Sequence, residues 1–276
     1  MQHKNIIITG ATDGIGLAAA KSIAKKGYHV SLVGRNSEKG KKALEAIIEH
    51  SGNENLDFFE CDLSLVANVK DLSDKIKQKY SKIDVLLNNA GGANKTKQIT
   101  TEGLEKTFAT NQMNYFVLST ELLEIISESN DGRIVNVASN AHIGAEVDYE
   151  NINSEKSFSA WTSYCVSKLM NIMFTYQLSS IQDKVSVNVL HPGFVDTNIA
   201  GNEGNFIKYI VKLGAKMFAR TVDSGADSSI YLSTSDEVQN VSGKYFFKCK
   251  EIKSSRASYN KEDRQKVCVL CNEYKI

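Results

Sequence analysis

The chain has 276 residues, of which 42% are apolar, and its formal net charge is +1 at pH 7. This length fits one large α/β domain or two small ones, and a near-neutral charge argues against a nucleic-acid partner or an anionic membrane surface. Five cysteines in a chain of this length argue against a disulfide framework and favour a reducing compartment. No targeting segment precedes the first predicted strand and no apolar run approaches ~20 residues, so we expect a cytoplasmic protein without a membrane span.

Short apolar runs that predict strands alternate with longer helical patterns. The runs lie at residues 6–8, 28–33, 56–59, 85–87, 134–137, 185–190 and 244–247, and helical patterns fill the gaps, for example at 15–26, 37–50, 65–80 and 163–181. Continuous apolar runs are typical of parallel strands that are buried on both faces. The alternation predicts a single doubly wound α/β domain, with about seven mostly parallel strands and helices on both faces of the sheet.

A glycine-rich turn, TGATDGIG at residues 9–16, joins the first predicted strand to the first predicted helix. Glycines at positions 10, 14 and 16 let the backbone approach a ligand closely, because no Cβ intervenes. The N–H groups and the positive dipole end of the following helix suit a pyrophosphate. Such a turn can be glycine-rich for steric reasons alone, but a strand before it and a helix after it are the context that dinucleotide binding requires.

Five motifs, in order, resemble the short-chain dehydrogenase/reductase family over roughly residues 4–248. They are G-x-x-x-G-x-G in the first turn, NNAG at 88–91, Asn111, the Ser139, Tyr164 and Lys168 set, and HPGFVDT at 191–197. GRIVNVASNAH, VNVLHPGFVDTNI and VSGKYFFKCK are similar to the branch that contains retinol dehydrogenases. The resemblance implies a Rossmann domain with strand order 3-2-1-4-5-6-7. It also implies that NADP(H) is used to interconvert lipophilic aldehydes or ketones and their alcohols. The cofactor half would span about 1–138, the catalytic and substrate half about 139–248, and a tail 249–276.

Tyr164 and Lys168 are four residues apart in a predicted helix, so their polar heads can lie side by side. An ammonium about 4 Å from a phenol, at an effective dielectric near 20, is worth roughly 4 kcal/mol, or about three pKa units. We therefore expect Lys168 to bring the Tyr164 pKa towards neutrality, which makes Tyr164 the general acid/base. A surface pair of no functional consequence is the alternative. The resemblance implies that Asn111, Ser139, Tyr164 and Lys168 form the catalytic tetrad: Ser139 holds the substrate oxygen and Asn111 holds a water beside the lysine.

Arg35 stands near the end of the second predicted strand, where an acidic residue would read a ribose 2′-hydroxyl. An arginine there can grip a 2′-phosphate, so we expect NADP(H) rather than NAD(H), although a solvated loop arginine is the alternative. Asp13 departs from NADP-using relatives that carry a basic residue at its place in the turn. The resemblance assigns cofactor contacts to Gly10, Thr12, Asp13, Gly14, Ile15, Gly16, Arg35, Asn36, Ser37, Asp62, Leu63, Asn89, Ala90, Gly91, Tyr164, Lys168, Pro192, Gly193, Val195 and Thr197.

A substrate lid is expected between the sixth strand and the next helix, at residues 198–220. Four apolar residues recur there at helical spacing: Phe206, Ile210, Leu213 and Met217. A helix that simply packs on the body of the protein explains this pattern equally well. Two rival functions stay open, a β-ketoacyl or steroid-type reductase and a dinucleotide-sensing protein without catalysis. The tail could end in a helix, in which Cys268 and Cys271 would be ordinary helix or tail residues. A metal-binding or redox C-x-x-C pair is the alternative. The resemblance implies that a homodimer can form.

Overall fold

Eight strands form one sheet in the computed structural model, which describes residues 4–193 and 221–275. The strands are β1 (Asn5–Thr9), β2 (His29–Gly34), β3 (Leu56–Glu60), β4 (Val85–Asn88), β5 (Arg133–Val137), β6 (Ser186–Leu190), β7 (Tyr245–Phe247) and β8 (Lys250–Ile252). They lie in the order β3-β2-β1-β4-β5-β6-β7-β8. Every neighbouring pair is parallel except β7 and β8, which are antiparallel. The predicted fold class and the predicted order of seven strands are confirmed, and β8 is an addition from the tail.

Helices lie on both faces of this sheet. They are α1 (Gly14–Lys25), α2 (Ser37–Ser51), α3 (Val66–Lys79), α4 (Lys106–Phe108), α5 (Asn114–Glu121), α6 (Leu123–Ser127), α7 (Ala160–Ile181), α8 (Val222–Thr234) and α9 (Lys261–Glu273). A π-helical turn, Ala109–Met113, joins α4 to α5. None of the described helices is long and apolar enough to cross a membrane.

The apolar core is divided by the sheet into two main clusters. Along β1, Ile7 belongs to one cluster, and Ile6 and Ile8 belong to the other. The cluster of Ile7 includes residues of α3, α5, α7 and α9, whereas the cluster of Ile6 includes residues of α1, α2 and α8. Because both faces of the strands are covered, their sequences are apolar at successive positions rather than at alternate ones.

The C-terminal tail packs on the same face of the sheet as α7. Val267 and Cys271 on α9 are fully buried in the core cluster that also holds α7 residues. Tyr149 donates a hydrogen bond from its hydroxyl to the Asp263 carbonyl at 3.1 Å, and Lys275 pairs with Glu121 of α5 at 2.8 Å. The expected terminal helix is therefore present, and α7 is its main partner.

Candidate active site

The backbone of the turn between β1 and α1 packs directly against the residues that follow β4. Gly10 has φ +64°, and a Cβ at this position would lie 2.8 Å from the Ala90 Cα. A Cβ on Gly16 would lie 2.3 Å from the Gly10 carbonyl oxygen and 2.5 Å from the Asn89 amide nitrogen. Glycine is required at both positions by these contacts, and the turn opens on the N-terminus of α1. This cradle fits a pyrophosphate, as the sequence predicts.

Thr9 and Asn89 join the glycine turn to the loop after β4. The Thr9 hydroxyl accepts hydrogen bonds from the Asn89 and Ala90 N–H groups at 2.9 and 3.0 Å. In return, the Asn89 side-chain amide donates to the Thr9 carbonyl at 2.9 Å and the Gly10 carbonyl at 3.3 Å. Thr9, fully buried, is thus a positioning residue that the sequence analysis did not single out. Its place as the last residue of a buried strand before the glycine turn was the available signal.

Several predicted cofactor residues in these turns have structural partners within the protein. The Asp13 carboxylate caps α1 by accepting a hydrogen bond from the Gly14 N–H at 2.7 Å, and Asn36 caps α2 by accepting one from the Lys39 N–H at 2.9 Å. Ser37 is the first residue of α2. Thr12 is close to the end of β2, because a Cβ on Gly34 would lie 2.7 Å from the Thr12 methyl group.

Arg35 and Asp62 face the same region beyond the ends of β2 and β3, and both are exposed. Burial acts to raise the pKa of the Asp62 carboxyl, but it is outweighed by hydrogen bonds from Ser64 and the charges of Lys106 and Arg35, so the pKa is lowered. The positive charge of Arg35 therefore acts on the Asp62 carboxyl, and the next residue in the chain, Leu63, is buried. Asp62 and Leu63 are the residues that the family resemblance places beside the adenine of a dinucleotide.

The four predicted catalytic residues converge at the carboxyl ends of β4 and β5. Ser139 follows β5, Tyr164 and Lys168 lie one turn apart on α7, and Asn111 lies in the π-helical turn. The Ser139 side chain lies close enough to the Tyr164 hydroxyl to act on its pKa. The Lys168 Nζ donates to the Val137 carbonyl at 2.9 Å and lies 6.0 Å from the centre of the Tyr164 ring.

Asn111 and Gly91 connect this cluster to the loop after β4. The Asn111 carboxamide accepts a hydrogen bond from the Gly92 N–H and donates one to the Gly92 carbonyl, both at 2.8 Å. It also donates to the Ser167 hydroxyl at 2.9 Å. A Cβ on Gly91 would lie 3.1 Å from Asn111 Oδ1 and 3.2 Å from Lys168 Nζ. The side chain of Asn111 therefore fixes the loop, and a water held beside Lys168 stays a prediction.

The charges in the cluster differ from the sequence expectation. Burial raises the pKa of Tyr164, although the Ser139 side chain acts to lower it. Burial also lowers the pKa of Lys168 to about 7, because its side chain is only 4% exposed. The expectation that Lys168 brings the pKa of Tyr164 towards neutrality is therefore wrong for the protein without a bound cofactor. It assumed a fully charged lysine in a polar setting and left out the cost of burying both groups.

Two histidines beside the motifs have structural partners. The His142 ring bonds the Ser139 carbonyl through Nδ1 at 2.7 Å, and its Nε2 accepts from the Ser255 N–H at 3.0 Å. His191 stacks on Phe247 with ring centres 4.2 Å apart. Pro192 and Gly193 follow β6, and Gly193 has φ +84°. Six further predicted site residues lie outside the described residues: Val195, Thr197, Phe206, Ile210, Leu213 and Met217.

The model of the short chain dehydrogenase family matches residues 4–207. The chain belongs to this family of oxidoreductases, whose fold binds a nicotinamide dinucleotide. Human polyprenol dehydrogenase is 33% identical over 269 residues, which are 95% of this chain and 82% of that protein. Human retinol dehydrogenase 14 is 33% identical over 268 residues, 91% of this chain and 80% of that protein. A solved structure of actinorhodin polyketide ketoreductase with NADPH is 25% identical, with TM-score 0.69, and covers 88% of this chain and 95% of that chain.

These relatives place the chain in the retinol dehydrogenase-like branch of the family. Membership supports an enzyme that acts on CH–OH groups and interconverts carbonyl compounds and alcohols. Among the described residues, no group of three or more His, Cys, Asp or Glu side chains could hold a metal ion.

Proposed function

We propose that the chain is an NADP(H)-dependent oxidoreductase that interconverts a lipophilic aldehyde or ketone and its alcohol, with Tyr164 as general acid/base. One observation carries the proposal. The Tyr164 hydroxyl, the Ser139 side chain and the Lys168 ammonium meet at the carboxyl ends of the central strands, next to the glycine turn. In a parallel α/β sheet this edge, where the strand order reverses, is the place at which ligands bind. The names of the two human relatives, a polyprenol and a retinol dehydrogenase, agree with a lipophilic substrate.

The residues of the site have separate tasks in carbonyl reduction. The glycine turn and the Asn89–Gly91 loop would hold a bound dinucleotide, whose nicotinamide would supply the hydride for the carbonyl carbon. The Ser139 hydroxyl donates a hydrogen bond to the carbonyl oxygen, where negative charge develops. The Tyr164 hydroxyl donates its proton to the same oxygen, and alcohol oxidation reverses both transfers. Lys168 lies on the inner side of Tyr164, where its ammonium favours the phenolate that remains after proton transfer.

Preference for NADP(H) rests on Arg35, the exposed cation beyond β2. Its guanidinium can bind a 2′-phosphate through paired donors. We expect Arg35→Asp to lower the ratio of kcat/KM for NADPH over NADH by at least about tenfold. Lys184→Asp, an equal charge change before the amino-terminal end of β6, is the control. An unchanged ratio in Arg35→Asp, or a wild-type preference for NADH, would contradict the assignment.

A lipophilic substrate is supported by Trp161, the single tryptophan of the chain. It is 44% exposed, and its ring centre lies 6.3 Å from that of Tyr164 at an angle of 34°. This ring offers an apolar surface beside the proton donor. Each methylene buried there is worth about 0.8 kcal/mol, or a factor of about four in kcat/KM. We therefore expect kcat/KM to rise with chain length along a series of straight-chain aldehydes.

The test measures NADPH oxidation at 340 nm with that series, using wild type, Trp161→Ala and Ile181→Ala. Ile181 is also exposed, at 66%, but lies at the other end of α7. The rise with chain length should flatten in Trp161→Ala and persist in Ile181→Ala. Equal turnover of short and long aldehydes by wild type would overturn the lipophilic assignment.

Two other functions make different predictions in the same assay. A β-ketoacyl or steroid-type reductase, favoured by the likeness to a polyketide ketoreductase, would turn over β-ketoesters or steroid ketones better than aldehydes. A dinucleotide sensor would bind NADPH and oxidise it with none of the compounds, which conflicts with the presence of all four tetrad residues. A homodimer, a single-domain organisation and a cytoplasmic location stay predictions, and any dimer interface on α7 must accommodate the packed helix α9.

A further inference from the structure

Asn171, on α7 three residues after Lys168, lies between the lysine and the π-helical turn. Its side chain is fully buried. The carboxamide oxygen accepts a hydrogen bond from Lys168 Nζ at 3.3 Å. The carboxamide nitrogen donates to the Asn111 backbone carbonyl at 2.8 Å and to Gln112 Oε1 at 2.9 Å. The group therefore forms a direct bridge from the lysine head to the segment that carries Asn111.

Only a carboxamide satisfies both ends of this bridge. An ammonium has three donors and no acceptor, and a backbone carbonyl is an acceptor only. An aspartate of the same shape could accept from Lys168 but could not donate to the Asn111 carbonyl, and a leucine could do neither. The orientation of the Asn171 amide follows from its neighbours, since the reversed orientation would set N–H groups against the ammonium and an oxygen against two oxygens.

The π-helical turn supplies the far end of the bridge. A π turn is a local widening of a helix at which side chains can reach backbone carbonyls, and such turns are frequent at functional sites. Here the Asn114 side-chain amide bonds the Thr110 carbonyl, and Asn171 bonds the next one. The same turn presents the Asn111 carboxamide to Gly92. Asn171 thus couples the position of Lys168 to the turn that fixes the loop after β4.

Asn171 provides one of the hydrogen-bond acceptors around Lys168 Nζ. Among the residues that the structure describes, Nζ donates to two acceptors, the Val137 carbonyl and Asn171 Oδ1, and its third donor is available to the site. Within the described ranges, the titratable groups that face it are the phenols of Tyr164 on the same helix and Tyr115 on α5, the latter with its ring centre 5.4 Å away. Neither phenol is negatively charged at neutral pH. The two carbonyl-type oxygens are therefore the groups that stabilise a charged lysine.

We propose that Asn171 is a positioning residue for the active site, whose carboxamide holds Lys168 in its charged form and at a fixed place beside Tyr164. The role is a deepening of the proposed function and rests on it. Removing the Asn171 acceptor should make charging of Lys168 harder, and replacing the carboxamide with a carboxylate should make it easier.

The experiment follows the ionisation of Lys168 directly, in protein labelled with ¹³C at the lysine ε-carbons. NMR spectra are recorded against pH, and the Lys168 resonance is the one missing from Lys168→Met. The wild-type midpoint should lie at about 7. The midpoint should fall by at least about half a unit in Asn171→Leu and rise by about one unit in Asn171→Asp. Asn188→Leu removes another buried carboxamide, which bonds Val241 and Lys244 at β6, and should leave the midpoint unchanged.

Opposite shifts in the two Asn171 variants support the proposal, because mere loss of packing would not change sign with the charge introduced. Folded Asn171 variants that both titrate with the wild-type midpoint would overturn it. If neither variant folds, the wild-type protein decides. The chemical shifts of the Asn171 side-chain amide should change with pH at the Lys168 midpoint, and this change should be absent in Lys168→Met. Asn171 amide shifts that do not change at the Lys168 midpoint would refute the bridge.

Activity separates this inference from the proposed function. With saturating NADPH, the alkaline limb of kcat/KM for an aldehyde should move to lower pH in Asn171→Leu and to higher pH in Asn171→Asp. A wild-type protein that turns over no carbonyl compound would refute the proposed function, whereas the NMR titration would still decide whether Asn171 controls Lys168. An active wild type whose Asn171 variants lose turnover equally at every pH would instead refute the positioning role.

Discussion

Gly91 has almost no room for a side chain beside Lys168. A methyl group there would come within 3.1 Å of Asn111 Oδ1 and 3.2 Å of Lys168 Nζ, closer than most Cβ contacts. We expect Gly91→Ala to displace the Asn111 carboxamide and the Lys168 ammonium. This should lower kcat at least about tenfold, since small displacements of reacting groups reduce the rate strongly. Gly52→Ala is the control, because Gly52 ends α2 with φ +69° and has no atom within 4 Å of its added Cβ.

Stability and activity should separate in these two alanine variants. Gly52→Ala should lose about 1 kcal/mol of unfolding free energy because alanine is strained at positive φ, with kcat unchanged. Steady-state kinetics and urea unfolding of both variants make the comparison. A Gly91→Ala enzyme with wild-type kcat would show that the close packing of Gly91, Asn111 and Lys168 is not needed for the reaction.

His142 links the catalytic segment to the tail through a hydrogen bond that requires a neutral ring. Its Nε2 accepts from the Ser255 N–H, and burial lowers the pKa of His142, although the Ser139 carbonyl acts to raise it. Its contribution to stability is therefore present above the ordinary histidine pKa of about 6.5 and is lost as pH falls through the lower folded-state pKa.

Replacing His142 with phenylalanine tests this link and retains a ring against Tyr245, whose centre is 5.3 Å away. At pH 8 the variant should be less stable than wild type by about 2 kcal/mol. The Ser255 N–H loses its partner, and the Ser139 carbonyl keeps only the hydrogen bond from the backbone N–H of residue 142. The difference should shrink as pH falls below 6.5, which denaturant unfolding at several pH values measures. A difference that stays constant with pH would mean that the ring does not titrate as described.

At the scale of single residues, the spacing of the motifs predicted the four tetrad residues but not the pKa values of Tyr164 and Lys168. Tyr164, Lys168, Ser139 and Asn111 could be assigned from motifs because each motif marks the end of a particular element. The acceptors of Lys168 could not be predicted in the same way. Val137 contributes its backbone carbonyl, which any residue type has, and the burial that lowers the lysine pKa arises only when β5, α5 and α7 pack together.

Among the elements, α9 offers the sharpest test of packing. Val267 is fully buried against α7, while Val269 on the same helix is 59% exposed. Val267→Ala should lower the free energy of unfolding by about 2 kcal/mol, and Val269→Ala should change it by less than about 0.5 kcal/mol. Urea unfolding of the two variants measures the difference. Equal effects would mean that α9 is not docked on the core in solution.

The strands and long helices were predictable because their apolar patterns match their burial. The predicted runs for β1 to β7 and the predicted helices lie within a few residues of the observed bounds. The strand β8 was not predicted, and its turn shows why. Lys248 and Cys249 connect β7 to β8 with φ +49° and +60°, a conformation usually adopted by Asn-Gly or Asp-Gly pairs. A Lys-Cys turn followed by the polar strand Lys250–Ile252 has no recognisable hairpin pattern.

Across the whole molecule, the site follows from the topology of the sheet. The glycine turn after β1, the loop after β4, Ser139 after β5 and Pro192 after β6 all lie at the carboxyl ends of parallel strands, and parallel strands bring those ends to one edge. The order of motifs along the chain therefore predicted which residues would meet. The proposed role of Trp161 in substrate binding could not be predicted in the same way. Trp161 belongs to no motif, and only the folded structure places its ring beside that of Tyr164.

The central claim is that the Tyr164 hydroxyl exchanges a proton with the substrate oxygen while Ser139 and Lys168 hold it in place. The most direct measurement compares wild type and Tyr164→Phe for two quantities, NADPH oxidation with the best aldehyde of the series and the Kd of NADPH from quenching of Trp161 fluorescence. We predict that kcat/KM falls at least about 100-fold while Kd changes less than about threefold, because the phenylalanine keeps the packing of the ring and loses only the hydroxyl group that donates the proton. A variant that retains most of its turnover would contradict the account.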